Sequence, residues 1–441
     1  MLNVKDLTVG SIPRHLFRLA LPIMGTSFVQ MAYSFTDMAW LGRLGSQEVA
    51  AVGIISVFLW IAQASTYLTK TGSEVTIGQS IGRRDYESAG RYASHNTCIS
   101  IIISCLWTLA YALLATPLIN LYQPEPLVSA YSHTYMYVAL LGLPAVFLTS
   151  TLFGIYNATG NSHIPFWILS LGLVCNMILD PMLIHVLGWG VAGAAWATVI
   201  SQWIVLLSFV LRLRLYDKLL NSFSFFCQLE RQLVWQIVRI GLPAASLNIL
   251  FAFVTIYMGR LASLAGGHVG IAVLTTGGQL EALTWNTAQG ATTALSTIVA
   301  QNYAAGQMQR VWSALRYALS FTLSVGFLGM LYFYFEGEGL FRLIVPDEAT
   351  VAEGAIYLRI SSYSQMLMLL EITVQGLLYG MGRSYLPASL SICGNVLRIP
   401  MALSLIGMGL GLSGVWWAIS ISAAIKGALA LMIVLWIYRR P

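Results

Sequence analysis

The sequence predicts an all-α integral membrane protein of twelve transmembrane helices, in two six-helix lobes related by a pseudo-two-fold axis along the membrane normal. Three observations predict it. First, 57% of the 441 residues are hydrophobic and only 9% charged, against about 25% charged in soluble domains. With a mean hydropathy of +0.74, the chain has more apolar surface than a soluble fold of its length buries. Second, apolar stretches of about 20 to 25 residues recur, each long enough to cross a bilayer core of about 30 Å as a helix. They lack the alternation of polar and apolar residues that a transmembrane β-barrel requires. Third, the two halves repeat each other.

The N-terminal stretch "MLNVKDLTVGSIPRHLFRLALP" has no short apolar core followed by a small-residue cleavage site. No removable signal peptide is expected, and the first apolar run is itself a span. Spans are expected at 15–41, 51–79, 93–115, 133–156, 164–187, 192–213, 235–262, 270–300, 314–336, 355–379, 387–408 and 413–438. The polar connections between them fall into two classes. One holds Lys5, Arg14, Arg18, Arg83, Arg84, Arg91, Arg212, Arg214, Lys218, Arg231, Arg310, Arg316, Arg383, Arg439 and Arg440. The other holds Arg43 and Arg342, with Arg260 and Arg359 near helix ends, and the acids Glu336, Glu338, Asp347, Glu348 and Glu353. The positive-inside rule puts the basic class, and with it both termini, in the cytoplasm, and the protein in the cytoplasmic membrane. The net charge of +6 is thus a topology signal, and no nucleic-acid partner is expected.

The repeat is visible in four places. "FRLALP" (17–22) matches "VRIGLP" (238–243), and "FGIYNATGNSHIP" (153–165) matches "QGLLYGMGRSYLP" (375–387). "VAGAAWA" (191–197) matches "LSGVWWA" (412–418), and "GQSIGRRDYESAGRYA" (78–93) loosely matches "AQNYAAGQMQRVWSALRYA" (300–318). Six helices are therefore duplicated in the same orientation. The expected division is an N-terminal lobe over 1–213, a cytoplasmic linker over 214–234 and a C-terminal lobe over 235–441. Repeat-built transporters place substrate sites near mid-membrane and rock one half against the other.

A few polar residues interrupt the apolar runs. An ionised acid in hydrocarbon costs at least about 2.5 kcal/mol, so Asp37 in "YSFTDMAWLGRLG" asks for a role. Gln30, Tyr33, Ser34 and Asp37 share one helix face. A stripe that ends in a carboxylate faces a cavity more often than it merely packs helices together. In "LVCNMILDPMLIHV", Asn176 and Asp180 are one turn apart, and Pro181 removes a backbone donor and favours a kink. The bland alternative is that Asp180 only steadies that bend. The repeat supplies a control. Asp37 aligns near Met258 or Gly259 and Asp180 near Ala402, so the fold does not itself require the acids.

In the second half, Glu371 lies one turn from Gln375 and is either a second coupling site or the buried partner of Arg398 or Lys426. Lys70 and Glu74 read as an i, i+4 pair, His185 as a boundary histidine, and Met31 and Met38 as lining for an adaptable apolar pocket. The five cysteines, Cys98, Cys105, Cys175, Cys227 and Cys393, have no metal spacing and read as small core hydrophobes. No catalytic set stands out, and the Gly-Lys-Ser/Thr phosphate loop is absent. Neither an enzyme nor ATP-driven transport is expected, nor any resident cofactor or metal.

The duplicated plan, "LALPIMGTSFVQMAYSFTDMAWLGRLG", the "ATGNSHIP" and "GMGRSYLP" pair and "NMILDP" together resemble the multidrug and toxic compound extrusion (MATE) family over essentially the whole chain. The resemblance is strongest to the DinF-like branch, in which the acids sit in the N-terminal lobe. NorM-like members also use acids in the C-terminal lobe. It implies one polar cluster formed by Asp37, Asn176, Asp180 and Thr198, and export of small organic, often cationic, amphiphilic compounds. A dry site penalises the charged form of a carboxylate, so Asp37 and Asp180 suit exchange of a proton for substrate. Oxygens of Asp, Asn and Thr suit sodium as well, and a lipid or lipid-linked precursor flippase is the other alternative. Membrane lipids are the expected surroundings, and a monomer the expected state.

Overall fold

In a computed structural model of the chain, residues 4–41, 44–215, 223–345 and 347–439 are described. Arg43, Lys218 and Arg440 from the charge classes lie outside these residues, as do the side chains of Ser34, Met38 and Arg214. The described elements are all helical. In chain order they are α1 (Ile12–Leu41), α2 (Ser46–Ser65 and Tyr67–Gly82), α3 (Tyr86–Asn120) and α4 (Pro126–Leu140 and Leu143–Ala158). α5 (His163–Pro181) and α6 (Gly190–Leu215) complete the first half. Residues 231–304 form one helical run broken at Gly267, with φ 58° and ψ −140°. We call its parts α7 (231–266) and α8 (268–304). An added Cβ at Gly270 would sit 2.2 Å from the Ala262 carbonyl oxygen. A straight helix rising 1.5 Å per residue keeps such positions far apart, so the chain turns back there. α9 (Met308–Arg342), α10 (Glu348–Gly380), α11 (Tyr385–Leu405) and α12 (Gly411–Tyr438) follow.

Among the described residues, seven helical stretches are long and apolar enough to cross a bilayer. Two of them, 231–304 and 385–438, each hold two helices, and α4, bent by 46°, is a further span. With α1 and α10, of comparable length, the count is twelve. Counting the π turns Met182–Val186 and Ile406–Leu410 that end α5 and α11, the expected spans fall inside these helices to within a residue. The helices are longer because hydropathy sees only the apolar stretch, whereas a helix runs on to its cap. α3 begins at Tyr86, where the Asp85 carboxylate accepts the Ser88 N–H at 2.9 Å. α10 begins at Glu348, where Asp347 accepts the Thr350 N–H at 2.9 Å. Towards the expected connection at 214–234, α6 runs to Leu215 and α7 starts at Arg231.

Sequence punctuation explains the breaks. Pro144, which cannot donate to the preceding turn, sits where α4 bends. α5 and α11 both end in a π turn, Met182–Val186 directly after Pro181 and Ile406–Leu410 six residues after Pro400. Gly188 and Gly190 after the first, and Gly409 and Gly411 after the second, have φ of 69°, 53°, 92° and 54°. A side chain is strained in that left-handed region and glycine is not.

The chain divides into two compact units. Unit 1 holds residues 1–9 and 21–245, and unit 2 holds 10–20 and 246–441. The division falls inside α1 and α7, near Pro22 and Pro243 of the repeated "LALP" and "IGLP". Unit 1 has one apolar core around Ile77, Tyr92, Tyr156 and Phe209 and another around Ile55, Phe58, Met136 and Phe147. The main core of unit 2 includes Met258, Phe333, Tyr357, Ala402 and Trp416.

Candidate functional site

The polar cluster of unit 1 is built by four helices. α1 carries Tyr33 and Asp37, one turn apart. α5 carries Asn176 and Asp180, also one turn apart. Trp40 of α1 packs edge-on to His185 in the π turn of α5, with ring centroids 5.7 Å apart, which holds the two stripes face to face. Asp180 and Asn176 are 1% and 0% exposed, and Asn176 Nδ2 donates to Asp180 Oδ1 at 3.3 Å. The Asp37 carboxyl faces both Asp180 and Asn176. Thr198 of α6 donates to the Ala194 carbonyl at 3.1 Å, the ordinary threonine back-bond, and its hydroxyl faces Tyr33. Tyr135 of α4, also buried, is near enough to interact electrostatically with both carboxyls.

The site leaves buried oxygens unmatched. Tyr33 Oη, Asp37 Oδ1, Asn176 Oδ1 and Asp180 Oδ2 have no hydrogen-bond partner. The groups acting on the two carboxyls include no lysine, arginine or histidine among the described residues. A buried charge without a partner is costly enough that the group takes up a proton or a cation instead. Two adjacent carboxyls titrate as a pair, not as independent acids.

Of the other residues singled out in the sequence, Met31 is half-buried and Gln30 exposed. Tyr135 was not legible in the sequence. It sits in "YSHTYMYVALL", where nothing sets it apart from Tyr131 and Tyr137, and only the packing of α4 selects it. Lys70 and Glu74 are not a simple pair. Glu74 is buried and accepts Asn157 Nδ2 at 3.0 Å, while the Lys70 ammonium lies over the Tyr67 and Phe153 rings at 5.0 and 4.7 Å. The cysteines are not uniformly core: Cys105 and Cys393 are exposed, because outward positions on a spanning helix stay apolar without being buried.

Unit 2 treats its acid differently. Glu371 Oε2 is 3.1 Å from Lys426 Nζ, and both are buried. Gln375 Nε2 donates to Glu371 at 3.0 Å, Ser391 donates to the same carboxylate, and Lys426 donates to Asn395 Oδ1 at 3.0 Å. Arg398 donates to Ser422 Oγ at 3.0 Å, and Tyr357 donates to Glu281 at 3.1 Å. Asn176 and Asn395 each lie five residues before a proline; the first serves a carboxylic acid and the second an ammonium. Met258 and Ala402, aligned near Asp37 and Asp180, are in the apolar core at 2% and 0% exposure.

Comparison with known proteins agrees with the duplication. The family described as MatE matches twice, over residues 22–182 and 243–403, well over half of the chain. A probable multidrug resistance protein NorM of Thermotoga maritima is 26% identical, covering 92% of this chain and 89% of its own length. The multidrug export protein MepA of Staphylococcus saprophyticus is 22% identical, covering 98% of this chain and 95% of its own. A crystal structure of a MATE protein in complex with MaL6 has the same fold, with a TM-score of 0.91 at 23% identity, covering 97% of this chain and 96% of that one. With its twelve apolar helices and a family match in each half, the chain belongs to the MATE family of multi-pass membrane transporters.

Proposed function

We propose that the protein is a proton-coupled antiporter that exports lipophilic, often cationic, organic compounds by alternating access, with Asp37 and Asp180 as the coupling pair. The reading rests on one observation. The two carboxyls lie together in unit 1 with unmatched oxygens and no basic side chain acting on them, whereas Glu371 has Lys426. An exchangeable cation must then complete the first site, and a proton is the smallest. The export role extends to this chain what the multidrug relatives are named for. Both acids in the N-terminal half is the DinF-like arrangement.

Two groups within reach give protonation a structural consequence. A proton shared between Asp37 and Asp180 removes their mutual repulsion. It also redirects Asn176 and Tyr33, which then hydrogen-bond to a neutral acid instead of an anion. α1 carries Asp37 and Tyr33, so it is the helix that moves. Entry of a proton from outside expels substrate, and its escape inward resets the site. Each proton moving inward supplies about 2.3 kcal/mol per 100 mV of membrane potential. Export from the cell interior follows from placing both termini in the cytoplasm.

The test is transport of a lipophilic cation by reconstituted protein under separate proton and sodium gradients. Export driven by the proton gradient at fixed sodium is the expected result. Asp37→Asn should insert normally and lose gradient-driven transport; full transport by that variant removes Asp37 from the mechanism. Sodium coupling is the second reading, favoured by the all-oxygen character of Asp37, Asp180, Asn176, Tyr33 and Thr198, a ligand type that suits hard cations. Export driven by sodium at fixed pH would establish it.

A further inference from the structure

Arg91, Ser94, His95 and Cys98 follow one another at helical spacing and share one face of α3. Segment 223–230, which leads into α7, lies along that face. The Ser224 N–H donates to Ser94 Oγ at 2.8 Å, the Cys227 N–H points at Cys98 Sγ at 3.2 Å, and the Glu230 N–H donates to His95 Nε2 at 3.0 Å. The Glu230 carboxylate pairs with Arg91. Because His95 Nε2 accepts, its Nδ1 carries the proton and donates to the Arg91 carbonyl at 2.7 Å, so the ring is a spacer rather than a metal ligand. This docking brings together two thiols that lie 129 residues apart in sequence, with Sγ–Sγ 3.4 Å. Both are free. A disulfide requires about 2.05 Å between sulfurs, so closure asks for a shift of little more than an ångström in a connecting segment.

We propose that Cys98 and Cys227 form a redox-modification site, a dithiol that a hydroperoxide converts to a disulfide, fastening segment 223–230 to α3. One sulfur attacks the outer oxygen of R–O–O–H, breaking the O–O bond and giving a sulfenic acid and ROH. The second sulfur then attacks the first, the S–S bond forms, and the sulfenic oxygen leaves as water. The thiols lose two electrons and two protons in all, and one proton ends in each of ROH and water. Burial, helped by Cys98 and Glu230, pushes the Cys227 thiol up to about 12. Cys227 therefore remains a thiol at neutral pH. The reaction is slow beside that of a catalytic thiolate but is favoured by the fixed proximity of the pair. In a thiol-reducing compartment the dithiol is the resting form.

The test uses the full chain in detergent, treated with hydrogen peroxide, quenched, denatured and labelled with a maleimide-linked polyethylene glycol. All five cysteines should be labelled before treatment. Afterwards the labels on Cys98 and Cys227 should be lost together, a digest should contain the peptide crosslinked between them, and dithiothreitol should restore both labels. Cys98→Ser and Cys227→Ser should each keep all their remaining labels after peroxide. Trypsin cleavage after Arg231 should slow severalfold in the oxidised wild type and not in either variant. Retention of all five labels, or their loss as sulfinic acid without the crosslinked peptide, overturns the proposal. Should a serine variant misfold, the crosslinked peptide from the wild type decides by itself. None of these readouts depends on transport, so the result is independent of the coupling mechanism.

Discussion

Asp37 and Glu371 are both acids on spanning helices, and the chain treats them oppositely. Glu371 receives Lys426 at 3.1 Å together with Gln375 and Ser391, so its charge is satisfied by the protein itself. Removing one partner of such a pair strands the other in a medium that cannot solvate it, at a cost of about 3–5 kcal/mol. Lys426→Met should therefore lower stability by about that amount, read from thermal unfolding in detergent, and adding Glu371→Gln should recover most of it. Failure of the second substitution to rescue the first would show that packing, not charge, makes Lys426 necessary. Among the described residues, none supplies such a cation to Asp37 or Asp180, the asymmetry on which the proposed coupling rests.

At the scale of the helix, ends and crossings carry the specificity. Asp85 caps α3 through the Ser88 N–H, and bonds from the Ser88 hydroxyl and N–H hold its carboxyl below the ordinary value. Because the folded value is the lower one, the cap's contribution is fully present above the unfolded carboxylate value of about 3.9. It is lost as pH falls through the folded value. Asp85→Ala should cost about 1 kcal/mol at neutral pH and nothing in strong acid, as seen by comparing unfolding of the two proteins across pH. Where α2 and α7 cross, an added Cβ at Gly241 would lie 1.9 Å from the Leu68 carbonyl oxygen, and one at Gly72 3.0 Å from Ile237. Small residues are what let helix backbones approach in a membrane. Backbone cannot yield as a side-chain tip does, so Gly241→Val should cost about 3 kcal/mol or more. Unfolding of that variant in detergent at the wild-type temperature would show the contact to be dispensable.

For the whole molecule, duplication sets the architecture and asymmetry sets the chemistry. Six helices occur twice, the family matches once in each half, and the π turns and glycine breaks recur at corresponding places. The carboxyl pair occurs once, and its counterpart positions are filled by Met258 and Ala402 in an apolar core. Orientation is likewise a property of the whole chain. With basic loops inside, a cysteine placed at the exposed Glu338 should react with an impermeant maleimide in intact cells. One placed at the exposed Glu87 should react only after permeabilisation. The reverse pattern would invert the topology.

The sequence alone determined the membrane setting, the number of helices and their repetition, because apolar length and local punctuation such as Pro181 or Gly409 act on the segment that carries them. It also marked Asp37 and Asp180, since an acid in an apolar run stands out without any fold. What only the tertiary structure decided were the relations between segments remote in sequence. Tyr135 joins the carboxyls, Lys426 rather than Arg398 takes Glu371 as its direct partner, and Cys98 meets Cys227. α1 and α7 are also divided between units at their prolines. Each of these is set by which faces of separate helices pack together, and helical periodicity fixes a face but not the neighbour it will meet.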